Sequence, residues 1–210
     1  MSLVNIWRIP LLFFVSGMGV FFALRKRNWH ELLKERSRRI LLPFAFGVFF
    51  VVPVHILILQ AYYSWHLSYQ PNPSHLWFLA NIFSYTLLSL PLFMWLKNNQ
   101  QGRLASGLKR IFGSPLGLLI VVICFWAEAV IIRPNPYELY AMTLHGFMLG
   151  WLAFVFGFMF VQAGQPFWVM ILKWRWLFLS LALLLYGYRI SQGQAPVYLL
   201  SVESNVWVFT

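Results

Sequence analysis

The sequence predicts an all-α, polytopic transmembrane helix bundle of about six spans with a partial seventh, and three observations predict it. Sixty per cent of the 210 residues are hydrophobic, 20% are aromatic and only 10% are charged, too little polar surface to wrap a water-soluble globule of this size. Six apolar runs approach the roughly 20 residues that a helix rising about 1.5 Å per residue needs to cross the hydrocarbon of a bilayer. Lysine and arginine collect in alternate connections between those runs, as they do when helices weave back and forth. Alternating ten-residue dyads, the mark of a closed membrane barrel, are absent.

The spans fall near Ile6–Leu24, Ile40–Tyr63, Leu76–Leu96, Pro115–Ile132, Leu144–Gln162 and Trp174–Tyr188, in a single integral membrane domain covering residues 1–210. The first run is preceded by Arg8 and followed by a basic turn, the reverse of a cleavable leader, and so reads as a permanent span. Thirteen of the sixteen Lys and Arg residues lie in the connections Arg25–Arg39, Lys97–Arg110 and Lys173–Arg175. The other three are Arg8, Arg133 and Arg189, so the first group is assigned to the cytoplasm and Met1 to the outer side. An outer N-terminus this short suggests an earlier span before Met1, and the apolar stretch starting at Pro196 suggests a further helix, so the chain reads as part of a larger bundle. Within the basic connection, Asn28–Arg39 (NWHELLKERSRR) reads as a short amphipathic interfacial helix. Pro43, Pro53 and Pro91 interrupt the second and third spans, and Ser16, Gly17 and Gly19 form a small-residue patch where another helix can approach.

Net charge and composition exclude several function classes. A charge of +11 in a soluble protein would point to nucleic acid, but here the bases flank apolar runs, where topology and anionic headgroups account for them. The single cysteine, Cys124, allows no intrachain disulfide. With no Asp and no spaced His or Cys ligands a metal site is not expected, and neither a phosphate-binding Gly-rich loop nor a GxSxG elbow is present.

Ionisable groups inside spans are expensive and each asks for a reason. Glu128 lies thirteen residues into the fourth span, and Arg133 follows close enough to reach back. An outer ion pair, a protonated hydrogen-bonded carboxyl and an acid lining a cavity all fit that placement. His55 falls in the outer half of the second span, while His66, His75 and His145 lie in or beside outer connections. His75 opens the run HLWFL, where Trp77 suits the interfacial aromatic belt; a general base, a helix cap and an interfacial side chain are the readings open to His75. At the other end Arg36, Arg38 and Arg39 precede Ile40, either as an anion site suited to phosphate or as a topology signal against lipid phosphates. The candidates are therefore His75 and Glu128 for catalysis, and Arg36, Arg39, His55 and Arg133 for substrate.

IPLLFFVSGMGVFFAL, a basic turn, RSRRILLPFAFG, HLWFL and FWAEAVIIRP, in that order, resemble the membrane acyltransferase 3 family, particularly its glucan-biosynthesis, glucan succinyltransferase-like branch. The resemblance implies a multi-helix enzyme of the bacterial inner membrane that moves an acyl group such as acetyl or succinyl. The donor would be a cytoplasmic acyl-CoA, used as a substrate with no bound cofactor, and the acceptor a carbohydrate hydroxyl outside. It further implies that Arg36 and Arg39 hold donor phosphates, that His75 and Glu128 face the acceptor, and that Ser16 and Gly17 pack near the active cavity. Family members begin with one more helix carrying an arginine and a histidine about ten residues apart, and that histidine is the favoured base; this chain starts after it. The alternatives are a transporter or flippase of an anionic or lipid-linked sugar, against which stands the lack of an inverted repeat and of paired interrupted helices, and an inactive structural remnant.

Overall fold

The structure, a computed structural model, describes residues 2–99, 102–132 and 142–191. These residues are helical with no strand among them, in the order α1 (Ser2–Lys26), α2 (Trp29–Tyr62), α3 (Trp77–Asn98), α4 (Arg103–Phe112), α5 (Pro115–Ile132), α6 (Leu144–Ala163) and α7 (Gln165–Ser191). All but α4 are long and apolar enough to cross a membrane. The stretch that begins at Pro196 and the site candidate Arg133 lie outside the described residues.

Apolar burial gives helices little reason to associate in lipid, so close backbone approach and interhelical hydrogen bonds hold such a bundle together. Both are present at its centre, where α1 crosses α6. Gly17 of α1 lies on the Phe154 carbonyl of α6, and Gly157 of α6 lies on the Phe14 carbonyl of α1, two contacts that any side chain at either glycine would block. Phe13, Tyr85, Phe93, Phe154 and Phe158 fill the space beside the crossing, with Phe93 and Phe158 stacked at 3.7 Å between centroids. The Tyr85 hydroxyl donates to the Phe147 carbonyl at 2.8 Å and Trp151 Nε1 donates to Ser89 Oγ at 2.9 Å, two bonds that tie α3 to α6. Trp77 at the head of α3 is buried against Phe13, and Leu76 just before it packs onto Gly47 of α2.

Three elements differ from the sequence expectation, each for an identifiable reason. The segment Asn28–Arg39 does not form a separate interfacial helix; from Trp29 it runs unbroken into the second span, giving one helix of 34 residues. Two π turns, Ser37–Leu41 and Gly47–Val51, make this continuity tolerable. Each stands immediately upstream of a proline, and the amides of Leu42 and Val52 reach back five residues to the carbonyls of Ser37 and Gly47. A proline ring strikes the carbonyl four residues earlier and cannot donate to it, so widening the helix over Arg39 and Phe49 relieves Pro43 and Pro53. The amphipathic helix is instead α4, which buries Ala105 and Phe112 on one face and exposes Arg103, Lys109 and Arg110 on the other.

The third difference is the last connection. Lys173 and Arg175 were expected in a loop before a span starting at Trp174, but α7 begins at Gln165 and both residues stand within it. Gly164 alone makes the turn, with φ 73° and ψ −145°, a conformation that costs a glycine little and other residues much. Its amide caps α6 by donating to Phe160 and Val161, and its carbonyl accepts from Phe167 to start α7.

Candidate functional site

The ends of the bundle carry different chemistry. At the basic end, α1 finishes in Arg25 and Lys26, and Lys97 Nζ at the close of α3 donates to the Arg27 carbonyl at 3.4 Å. The Asn28 amide donates to Glu31 Oε2 at 3.2 Å and starts α2. One turn further, Glu35 accepts from Arg27 and, at 3.1 Å, from Arg39 Nη2. Arg39 is thus an exposed side chain steered by a neighbour on its own helix.

Arg36 is placed differently. It is half-buried, and its guanidinium rests beside Gly19 of α1, where an added Cβ would come within 3.4 Å of Nη2. Gly19 is seven residues, about 10 Å of helix rise, inward from the end of α1 at Lys26. The small-residue patch therefore divides its work. Gly17 serves helix packing, Gly19 leaves room for an arginine, and the Ser16 hydroxyl turns back to donate to the Leu12 carbonyl at 2.8 Å.

At the opposite end, Glu128 projects from the last third of α5 and His145 from the first turn of α6. Glu128 Oε1 and His145 Nδ1 are 2.9 Å apart, and the two side chains are 5% and 12% exposed. The other carboxylate oxygen, Oε2, is buried with no hydrogen-bond partner among the described residues. Thr143 Oγ1 caps α6 by accepting from the Gly146 amide at 3.1 Å, and Tyr85 holds the Phe147 carbonyl, so the turn bearing His145 is fixed from two sides.

Of the residues singled out from sequence, Glu128 is thus the one at the centre of a buried polar contact, while Arg36 and Arg39 share one basic cluster. His55 is exposed on α2 and joins neither group. His75 lies in the 3₁₀ turn Ser74–Leu76, and its side chain is outside the described features. His145 was visible only as one more outer histidine; the signal that could have raised it was its position opening an apolar span, like Glu128 near the end of the one before. Among the described residues, no three His, Cys or Glu side chains gather as a metal would require.

Another polar contact explains a loop rather than a site. Pro53 has no N–H for its i−4 acceptor, the Phe49 carbonyl, and the Tyr69 hydroxyl donates to that carbonyl at 2.8 Å from the connection between α2 and α3. The same connection is held by Gln60, which accepts from the Ser68 amide at 2.9 Å and donates to Ser68 Oγ at 3.2 Å.

Fold and site together define an all-helical integral membrane protein with a buried carboxyl–imidazole pair at one end and clustered arginines at the other. The chain belongs to the acyltransferase 3 family, whose acyltransferase domain model matches residues 3–209. No curated protein and no solved structure matches it. The membership makes it a membrane acyltransferase domain in general class.

Proposed function

We propose that the chain transfers an acyl group, such as acetyl or succinyl, from a CoA thioester to a carbohydrate hydroxyl. The bundle would lie in a bacterial inner membrane, with the basic end cytoplasmic and Met1 outside. One observation supports the reading most directly: the distance between the two polar stations. From Gly19, where Arg36 sits, five residues of α1 lead to Phe14; this ring meets Phe125, three residues short of Glu128. Six residues lead to Phe13, which packs on Gly150, five residues beyond His145. Both routes give an axial separation of roughly 12–16 Å at about 1.5 Å per residue. The flexible arm between the phosphates and the acyl carbon of a CoA thioester covers a gap of that order. Arg36, assisted by Arg39, would hold the phosphates through charge-assisted bonds, and Glu128 would serve the acceptor end.

Proteoliposomes holding the full chain, supplied with acetyl-CoA or succinyl-CoA on one side and a glucan oligosaccharide on the other, test the reading. Acylated oligosaccharide and an equal quantity of free CoA thiol are the expected products. Sugar crossing the membrane unmodified, with no thiol released, would support a transporter instead.

A further inference from the structure

We propose that α4 and the first half of α7 form a seat for an anionic phospholipid headgroup at the basic end of the bundle. The observation that carries it is where two charges stand. Lys173 and Arg175 are about 12 and 15 Å of helix rise into α7 from Gln165, and both are exposed. α7 meets the bundle through Phe167 and Met170, which are buried, and through the half-buried Ile171 and Phe178; every residue from Leu172 to Leu177 is exposed. A cation on the open flank of a spanning helix is costly unless an anion reaches it. Among the described residues the protein supplies none: Glu31 and Glu35 are engaged at the start of α2, and Glu128 lies at the opposite end of the bundle. What surrounds this stretch is lipid, so the anion is a headgroup phosphate, met by long side chains that extend toward it.

α4 brings further bases to the start of α7. Gly113, just past its last turn, lies against Pro166 in the first turn of α7, where an added Cβ would come within 3.0 Å of the ring. Phe112 holds α4 on α6 by packing edge-on against Phe156 and Phe160. That leaves Arg103, Lys109 and Arg110 exposed on the other face, with no carboxylate beside them among the described residues. Trp168, Trp174 and Trp176 are exposed on the same stretch of α7 as Lys173 and Arg175, and the Arg175 guanidinium rests 5.5 Å from the centre of the Trp176 ring. Indole rings among lysines and arginines mark the boundary between hydrocarbon and headgroups. The seat is also separate from the arginine assigned to the donor. Gly17 faces α6, and Gly19, about 200° further round α1, faces Arg36. α1 therefore stands between Arg36 and the helix on which α4 and α7 pack.

The test uses the purified full chain in a neutral detergent, titrated with phosphatidylglycerol or phosphatidylcholine whose acyl chains carry bromine, a contact quencher of tryptophan fluorescence. Phosphatidylglycerol is expected to quench saturably at a concentration about tenfold below that of phosphatidylcholine, and high salt to shrink the difference. Lys173→Gln/Arg175→Gln and Lys109→Gln/Arg110→Gln are each expected to remove most of that preference. Arg25→Gln/Lys26→Gln, which takes the same charge from the end of α1, is expected to keep it. Should a double variant fail to fold, the salt series on the unmodified chain and a Trp174→Phe/Trp176→Phe variant, expected to lose the saturable quenching, carry the test. Equal quenching by the two lipids, or a preference lost as fully in the Arg25/Lys26 variant, overturns the seat. Soluble glycerol phosphate that competes as well as the lipid overturns it in favour of a free-phosphate site. A dimer that the Lys173/Arg175 variant dissolves puts a second copy on this face instead. None of these readings requires acyl transfer, so the seat stands or falls apart from the acyltransferase reading.

Discussion

Gly17 and Phe154 meet where α1 and α6 cross, the glycine resting on the phenylalanine's backbone carbonyl, and Gly157 and Phe14 repeat the contact with the helices exchanged. A backbone carbonyl inside a helix cannot swing aside as a side chain can. Gly17→Ala or Gly157→Ala should therefore push the helices apart and cost about 1–3 kcal/mol. Gly107 in α4 has open space around it, so Gly107→Ala should be neutral or slightly stabilising. Thermal unfolding of the three variants in one detergent checks the contrast.

Arg36 and Arg39 are one turn apart and should not behave alike. Arg39 is exposed and pairs with Glu35, whereas Arg36 is half-buried beside α1. If Arg36 holds donor phosphate, Arg36→Ala should raise the KM for acyl-CoA about tenfold to a hundredfold, the loss of one charge-assisted bond of about 1.5–3 kcal/mol. Arg39→Ala should raise it only a few-fold. Gly19→Leu, which fills the space Arg36 occupies, should resemble Arg36→Ala; steady-state kinetics on the three variants decides the matter.

Tyr69 supplies the hydrogen bond that Pro53 withholds from Phe49. Tyr69→Phe should cost about 1 kcal/mol and speed hydrogen exchange in residues 63–73. In a Pro53→Ala background a new amide faces the Phe49 carbonyl, so the same Tyr69→Phe change should cost less. A double-mutant cycle on unfolding stability measures that difference directly.

Tyr85 is fully buried, and its hydroxyl is bonded to the Phe147 carbonyl. Tyr85→Phe preserves the ring contacts with Phe13 and Phe147 and removes the hydroxyl's bonds to the Phe147 carbonyl and the Asn81 side chain, so it should lower stability by about 1–2 kcal/mol. Trp151→Phe, which breaks the bond to Ser89, should cost more because it also gives up ring volume. Denaturation of both variants in matched detergent gives the comparison.

How much of this was legible beforehand depended on whether the relevant physics was local. Apolar runs located the spanning helices, and α5 starts and ends where its run does, because span length is set by the bilayer and written in consecutive residues. Glu128 stood out because an acid within such a run has no local excuse. Its partner did not, since His145 is 17 positions away and meets it only after α5 and α6 pack side by side. The seat of Arg36 at Gly19 was hidden for the same reason. The one-residue turn at Gly164 was obscured because the eye follows charge, and Lys173 and Arg175 drew the boundary too far along the chain. The amphipathic α4 could have been found: Ala105, Leu108 and Phe112 repeat at helical spacing between exposed bases.

The unbroken course of α2 ties the depth of its arginine to the lipid around it. Thirty-four residues amount to about 51 Å of helix, against roughly 30 Å of hydrocarbon and 40–45 Å with headgroups. Such a rod must lean or protrude, and a thicker or thinner bilayer changes how far. Arg36 rides on it, so membrane thickness becomes a control on how deep that positive charge sits, and lipid chain length a variable to hold fixed in any comparison of rates.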